Sequence, residues 1–273
     1  MVKTNNISQI QNNKKLSIQV ALNGLSFCCK DLITNEIFDF GEFSFQEFPK
    51  TNTIEENLWK VFSENKALIA HYEEVRVLHQ NNLNTWVPKP LFNENQLGSY
   101  LQYNNKVFPT DFFAFDTLPN YDLVNVYVPY VNITNFLLDQ FKEFEYQHSS
   151  TILVQELLKI NNEKGTSRVY IHFEQHQFQL VVLEQDKLIF YNTFDFQTEN
   201  DVLYYLLFVA EQLSLDPDQF ELYVLGKMTT EHAIFEKMYQ FVRNVQMLSV
   251  DDLKQKFGRK EAENIANFVL FHL

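Results

Sequence analysis

The feature that most constrains this chain is a repetition of its own pattern. Ile18 to Phe27 lies over Val169 to Phe178 at an offset of 151 residues, without a gap. In that register Ile18 meets Val169, Val20 meets Ile171, Leu22 meets Phe173 and Phe27 meets Phe178. Further on, Leu32 meets Leu183, Ile37 meets Leu188, Phe40 meets Tyr191 and Phe43 meets Phe194. Each copy alternates apolar and polar residues, breaks at a turn and resumes, as antiparallel strands do. Asn35-Glu36 and Asp186-Lys187 stand at the second turn of each copy, where polar turn residues belong. A meander that recurs predicts two similar lobes.

Each meander runs into a helix. Thr53-Ile54-Glu55-Glu56 has capping-box spacing, and Ile54, Leu58, Val61, Phe62 and Leu68 recur on one face. In the second copy Thr198 to Asp201 supplies caps, and Val202, Tyr205, Leu206, Val209 and Leu213 repeat the pattern. Both copies return to a strand, Val75 to Leu78 and Phe220 to Leu225. Between them Trp86 to Phe92 is extended, because Pro88 and Pro90 exclude helix. A short helix over Asn93 to Tyr103 and a strand over Leu123 to Pro129 follow. Then come a helix capped by Asn132 and running to Glu145, and a linking helix over Thr151 to Ile160. Thr229 or Thr230, Ser249 and the stretch Ala262 to Leu270 mark three further helices. The expected fold is α/β, two ribonuclease-H-like lobes, each a mixed five-stranded sheet with flanking helices, over residues 1–150 and 151–273.

Charge and composition remove several classes of function. Lys and Arg number 22 against 35 Asp and Glu, a net charge of −13, which repels nucleic-acid phosphates and anionic membrane surfaces. Six glycines leave little material for phosphate-cradling loops. Met1 to Asn13 is polar, unlike a signal peptide, and the longest apolar run, Val202 to Ala210, is about half of the roughly 20 residues that span a bilayer. Cys28 and Cys29 are adjacent and point to opposite faces of a strand, so they form neither a disulfide framework nor a chelating pair. A reduced, cytoplasmic protein with no nucleic-acid partner and no membrane insertion is expected.

Three meandering strands, a helix and a strand, given twice and joined by a helix, resemble the plan of the actin-like ATPase superfamily. Leu123 to Pro129 with the helix after Asn132 is similar to the corresponding strand and helix of its pilus-assembly and cell-division members. Leu16 to Phe27 more narrowly resembles a bacterial family known as domain of unknown function 3822, whose fold is actin-like. The resemblance implies an Asp-x-Gly at the first turn of each meander, the aspartates managing Mg²⁺ and water and the glycines admitting phosphates. In the 151-residue register those places hold Ala21 and Asn23, then His172 and Glu174, so all four depart from the pattern. The adenosine-contacting turn implied by the resemblance reads Val224 to Thr230, with Gly226 alone. ATP carries a charge of about −4 and would need carboxylate-held Mg²⁺ or converging cations. The expected protein is therefore a catalytically inactive relative that needs no cofactor and binds an unidentified protein partner or further copies of itself. The alternative is a nucleotide-binding switch or ATPase whose contacts are His172, Glu174, Gly226 and Lys227.

Two other groups of residues stand out. His172, Glu174 and His176 would share one face of an extended strand at about 6.6 Å spacing, a candidate metal string or simply a polar face at the cleft. Trp86, between polar residues and prolines, reads as a partner anchor or as a side chain packed under the first lobe. Phe112, Phe113 and Phe115, with Phe108, are too many aromatics for one small loop unless they pack on the core or on a partner.

Overall fold

The computed structural model describes residues 13–108, 110–161, 167–249 and 265–273. The first sheet is built from β1 (Lys14–Ala21), β2 (Gly24–Asp31), β3 (Ile37–Ser44), β4 (Glu74–His79) and β8 (Glu145–His148), in the order β3-β2-β1-β4-β8. The second is built from β9 (Ser167–Phe173), β10 (Gln177–Glu184), β11 (Lys187–Asp195), β12 (Glu221–Gly226) and β13 (Asn244–Met247), in the order β11-β10-β9-β12-β13. In each sheet three antiparallel strands are extended by two parallel ones.

The registers refine the repeat. Ile18 pairs with Phe27 and Val77, while Ile171 pairs with Leu180 and Val224. Ile18 is thus the counterpart of Ile171, at an offset of 153 rather than 151. The third strands do keep 151, because Leu25 pairs with Phe43 as Phe178 pairs with Phe194. The gapless register is corrected by two extra residues in the β2–β3 turn. Slipping by two leaves every side chain on its original face, so the apolar pattern matched in either register. A bulge follows Cys29 in one copy and Val182 in the other, positions 153 apart, and each throws out an apolar residue, Phe38 or Ile189.

Helices fill the layers. The predicted capping box of Thr53 with Glu56 forms at the start of α1 (Ile54–Glu64), and the caps expected from Thr198 to Asp201 form a second box, Thr198 with Asp201, at the start of α5 (Glu199–Gln212). α1 and α3 (Val131–Phe141) cover one face of the first sheet around Leu16, Ile18, Leu58, Phe62 and Leu137. α5 and α6 (Ala233–Phe241) cover the second around Ile171, Leu180, Leu206 and Met238. The other face of the second sheet packs Tyr170, Val181 and Leu183 against α4 (Ser149–Ile160) and the C-terminal α7 (Phe268–His272). β10 is therefore buried on both faces, which explains its unbroken Leu-Val-Val-Leu run. α7 also reaches the first sheet, where Lys30 Nζ donates to the Phe271 carbonyl at 2.8 Å and Leu270 packs on Cys28. Cys28 and Cys29 are buried on opposite faces, and burial raises their thiols to about 12 and about 11.

Several boundaries differ from expectation. Tyr130, not Asn132, precedes α3, and that helix stops at Phe141 so that Glu145–His148 can join the sheet. His148 rather than the Thr151 neighbourhood starts α4, its ring accepting the Ser150 amide. His232, not Thr229 or Thr230, caps α6. The helix expected after Ser249, and the start of the one expected from Ala262, lie outside the described residues. A third sheet, β5 (Asn84–Pro88), β7 (Leu123–Tyr127) and β6 (Ala114–Leu118), is inserted between β4 and α3 and packs on α2 (Leu97–Leu101). Among the described residues no helix is long and apolar enough to cross a membrane.

Candidate functional site

The two meanders face each other across a cleft of about 1160 Å³. β1 ends at Ala21 and turns through Leu22-Asn23. β9 ends at Phe173 and turns through Gln175-His176, closed by the Glu174 amide on the Gln177 carbonyl at 2.9 Å. In the observed register Ala21 corresponds to Glu174, Asn23 to His176 and Gln19 to His172. Beyond the next strand the chain repeats itself again. Gln80 N–H donates to the Val20 carbonyl at 2.9 Å, and Lys227 N–H to the Phe173 carbonyl at 2.8 Å. Backbone amides at the strand ends are thus spent on the fold.

The side chains around the cleft are mostly polar, and acids predominate among its charged ones. Glu42, Glu47, Glu174 and Asp195 line it, and among the described residues Lys227 is its one lysine or arginine. Lys227 Nζ is ion-paired with Glu42 Oε1 of the first sheet, so the two lobes are bridged at this point. Asp195 accepts a hydrogen bond from Gln177 at 2.7 Å. A ligand with several negative charges would face four carboxylates and a lysine that is already paired.

The structure separates the residues that the sequence grouped. His172 is buried with its Nδ1 2.6 Å from Gln179 Oε1, and its Nε2 lies 4.0 Å from Glu174. Glu174 and His176 line the cleft, but the strand ends at Phe173, so the three do not share one face. Among the described residues no three His, Cys, Asp or Glu side chains are grouped as a metal ion requires. Gly226 has φ +88°, and a Cβ there would lie 2.2 Å from the Phe173 carbonyl oxygen, so its freedom serves the close approach of β12 to β9. Of the nucleotide-contact set, Glu174 and Lys227 reach the cleft while His172 and Gly226 lie behind its wall. Trp86 packs edge-on against Tyr191 of β11, at 6.2 Å between ring centres. Phe113 and Phe115 join the core of the small sheet, Phe115 lying 4.9 Å from Phe92, while Phe112 is 53% exposed.

A Ser–His pairing that sequence could not supply lies between the sheets. Ser150 Oγ is 2.7 Å from His148 Nδ1 and accepts from Asn84 and Asn125 at 2.9 and 3.0 Å. The Ser150 hydroxyl therefore donates to Nδ1, which leaves Nε2–H to donate to Asn81 Oδ1 at 3.2 Å. Asp116 accepts from the His148 backbone amide and the Thr151 hydroxyl, not from the imidazole. Burial holds His148 down at about 3 and His79 at about 4, and lifts Asp116 to about 6. With Ser150 and His148 wholly enclosed, no substrate reaches this hydroxyl, and the network is a structural joint. The acids Glu42, Glu47 and Asp195 escaped the sequence reading. Glu42 lies in β3, Glu47 in the turn after it and Asp195 at the end of β11, and only the folded arrangement brings all three to one cleft.

A family model matches residues 3–245 over both sheets and the insert, under the description "Protein of unknown function (DUF3822)". The chain belongs to this family. In keeping with that membership, a Bacteroides thetaiotaomicron protein with actin-like ATPase fold and unknown function superposes with a TM-score of 0.79. It is 21% identical, and the match covers 87% of this chain and 91% of that one. PilM in the PilM–PilN type IV pilus biogenesis complex superposes at 0.56 with 11% identity, covering 94% and 97%. No curated protein matches the chain. The DUF3822 chain thus has the actin-like ATPase fold.

Proposed function

We propose that this protein is a catalytically silent member of the actin-like fold that works in the cytoplasm as a protein-binding or scaffolding component, with lobes dividing near residue 150. The observation that carries the reading is the cleft. Where the superfamily pattern calls for two Asp-x-Gly turns, the chain places Ala21-Leu22-Asn23 and Glu174-Gln175-His176, and neither supplies a glycine. Glu174 restores one carboxylate to the second turn, but no acid stands at the first. The nearby amides of Gln80 and Lys227 are engaged, and Lys227 is held by Glu42. PilM, which shares the fold, occurs in a complex with PilN, so this architecture is compatible with holding another protein.

A thermal melt of the purified chain with and without millimolar Mg·ATP tests the silence. A ligand at about a hundred times its dissociation constant adds about 2.7 kcal/mol, a rise of roughly 5–10 °C at this length. The expected shift is below about 1 °C, which corresponds to a free-energy change too small for a specific millimolar ligand at saturation. A rise of several degrees, removed by Glu174→Gln or Lys227→Met, would establish the nucleotide switch instead.

A further inference from the structure

Another recess among the described residues lies at the end of the first lobe away from the cleft. It has a volume of about 810 Å³ and runs between the segment leading into β4 and the segment leading into β8. Its floor is apolar: Phe141 and Phe144 turn inward onto the first core beside Tyr72 and Val75. On one wall Ile69 is 61% exposed, an apolar side chain with no role in the core.

The rim is acidic. Glu73 stands exposed on one wall and Glu143 on the other, with Glu74 and Glu145 beside them, against Lys142 as the one lysine or arginine among the described residues of the recess and His71 on its wall. Glu74 is met by Lys15 and Arg76, and Glu145 by Arg76 Nη2 at 3.3 Å, so those two are compensated from beneath. The backbone between Phe141 and Phe144 is held in a costly form. Lys142 has φ 64° and ψ −46°, and the Glu143 amide bonds the Phe141 carbonyl at 2.8 Å, a γ-turn of the strained hand. That turn ends α3 sharply, sets the two phenylalanines in the floor and leaves Glu143 on the rim. Strain of this kind persists where the surrounding structure imposes it, and it concentrates at working surfaces.

We infer that this recess is a docking groove for a segment of a partner protein that carries apolar anchor residues flanked by Lys or Arg. The floor takes the apolar side chains and the exposed carboxylates take the cations. The same acidic rim disfavours phosphate-bearing surfaces, nucleic acid and anionic membrane alike. The groove lies far from the cleft, so the inference stands or falls independently of whether the cleft takes nucleotide.

Selection from a library of random ten-residue segments displayed on phage tests it. The full chain is the bait and Ile69→Asp/Glu143→Arg the counter-bait, with a melt to show that the variant, altered only at exposed positions, remains folded. The expected result is enrichment of sequences that combine Lys or Arg with aromatic or aliphatic residues. Synthetic copies should bind the chain in fluorescence anisotropy and weaken by about tenfold, some 1.4 kcal/mol, in either single variant. They should weaken similarly when salt is raised from about 50 to about 500 mM. Failure to enrich any sequence, enrichment without excess basic residues, or equal binding by the variants would overturn the groove.

Discussion

Gly226 ends β12 in a left-handed conformation, its Cα tucked beneath the Phe173 carbonyl that also receives the Lys227 amide. Sequence reading singled it out as the only glycine near the turn where a nucleotide base would lie. Its geometry gives it a different task, since any side chain would meet backbone that cannot swing aside. Gly226→Ala is expected to cost about 3 kcal/mol or more, combining a φ suited to glycine with a backbone clash. At this chain length that is a fall of roughly 6–12 °C in Tm in the absence of any ligand. A variant as stable as the parent would return Gly226 to a ligand-binding role. Residue identity alone could not have decided this, because glycine serves tight packing and phosphate approach equally well. His172 teaches the same lesson, since the imidazole offered as a ligand is buried against Gln179.

At the scale of elements, legibility followed length and periodicity. The two capped helices after the meanders and the long antiparallel strands carry enough apolar positions to fix type and face. β8 and β13 have four residues each, too few for an alternating pattern, and both follow a helix closely enough to read as its tail. In the small inserted sheet the extended stretch from Trp86 and the strand from Leu123 were legible, whereas β6, five residues followed at once by Pro119, was not. The end of α3 was misplaced for a sharper reason: nothing in Phe141-Lys142-Glu143 advertises a stop. The helix is broken there by a residue that glycine would suit better. Lys142→Gly is therefore expected to stabilise the chain by about 0.5–1 kcal/mol, the relieved strain outweighing the added freedom of the unfolded backbone. Urea unfolding measures this directly, and a loss of stability would show that the lysine side chain contributes more than its backbone costs.

For the whole molecule, duplication was legible because two sheets with identical strand order impose the same apolar pattern twice. Three of the four cleft acids and the joint between the sheets were not, because they depend on residues far apart in sequence. That joint gives stability a definite pH dependence. His79 and His148 are buried and neutral at the ends of neighbouring strands, held near 4 and 3, whereas in the unfolded chain they titrate near 6.5. Between pH 6 and 4 the unfolded state therefore binds about two protons more than the folded state through these rings, and acid destabilises. Asp116 acts in the opposite sense. Burial raises it to about 6 from an unfolded value near 3.9, so in the same window the folded state holds one proton that the unfolded state lacks. The net difference for the three groups is about one proton, or about 1.4 kcal/mol of stability lost per unit as pH falls from 6 to 4. Asp116→Asn removes the opposing proton. Its amide oxygen can still accept from the His148 amide and Thr151, and its NH₂ group can donate to the Tyr127 hydroxyl that now donates to Asp116. The variant should roughly double the slope to about 2.7 kcal/mol per unit, whatever its stability at neutral pH. Urea titrations of both proteins at pH 6, 5 and 4 would read the two slopes, and an unchanged or shallower slope in the variant would mean that Asp116 is already ionised within the joint.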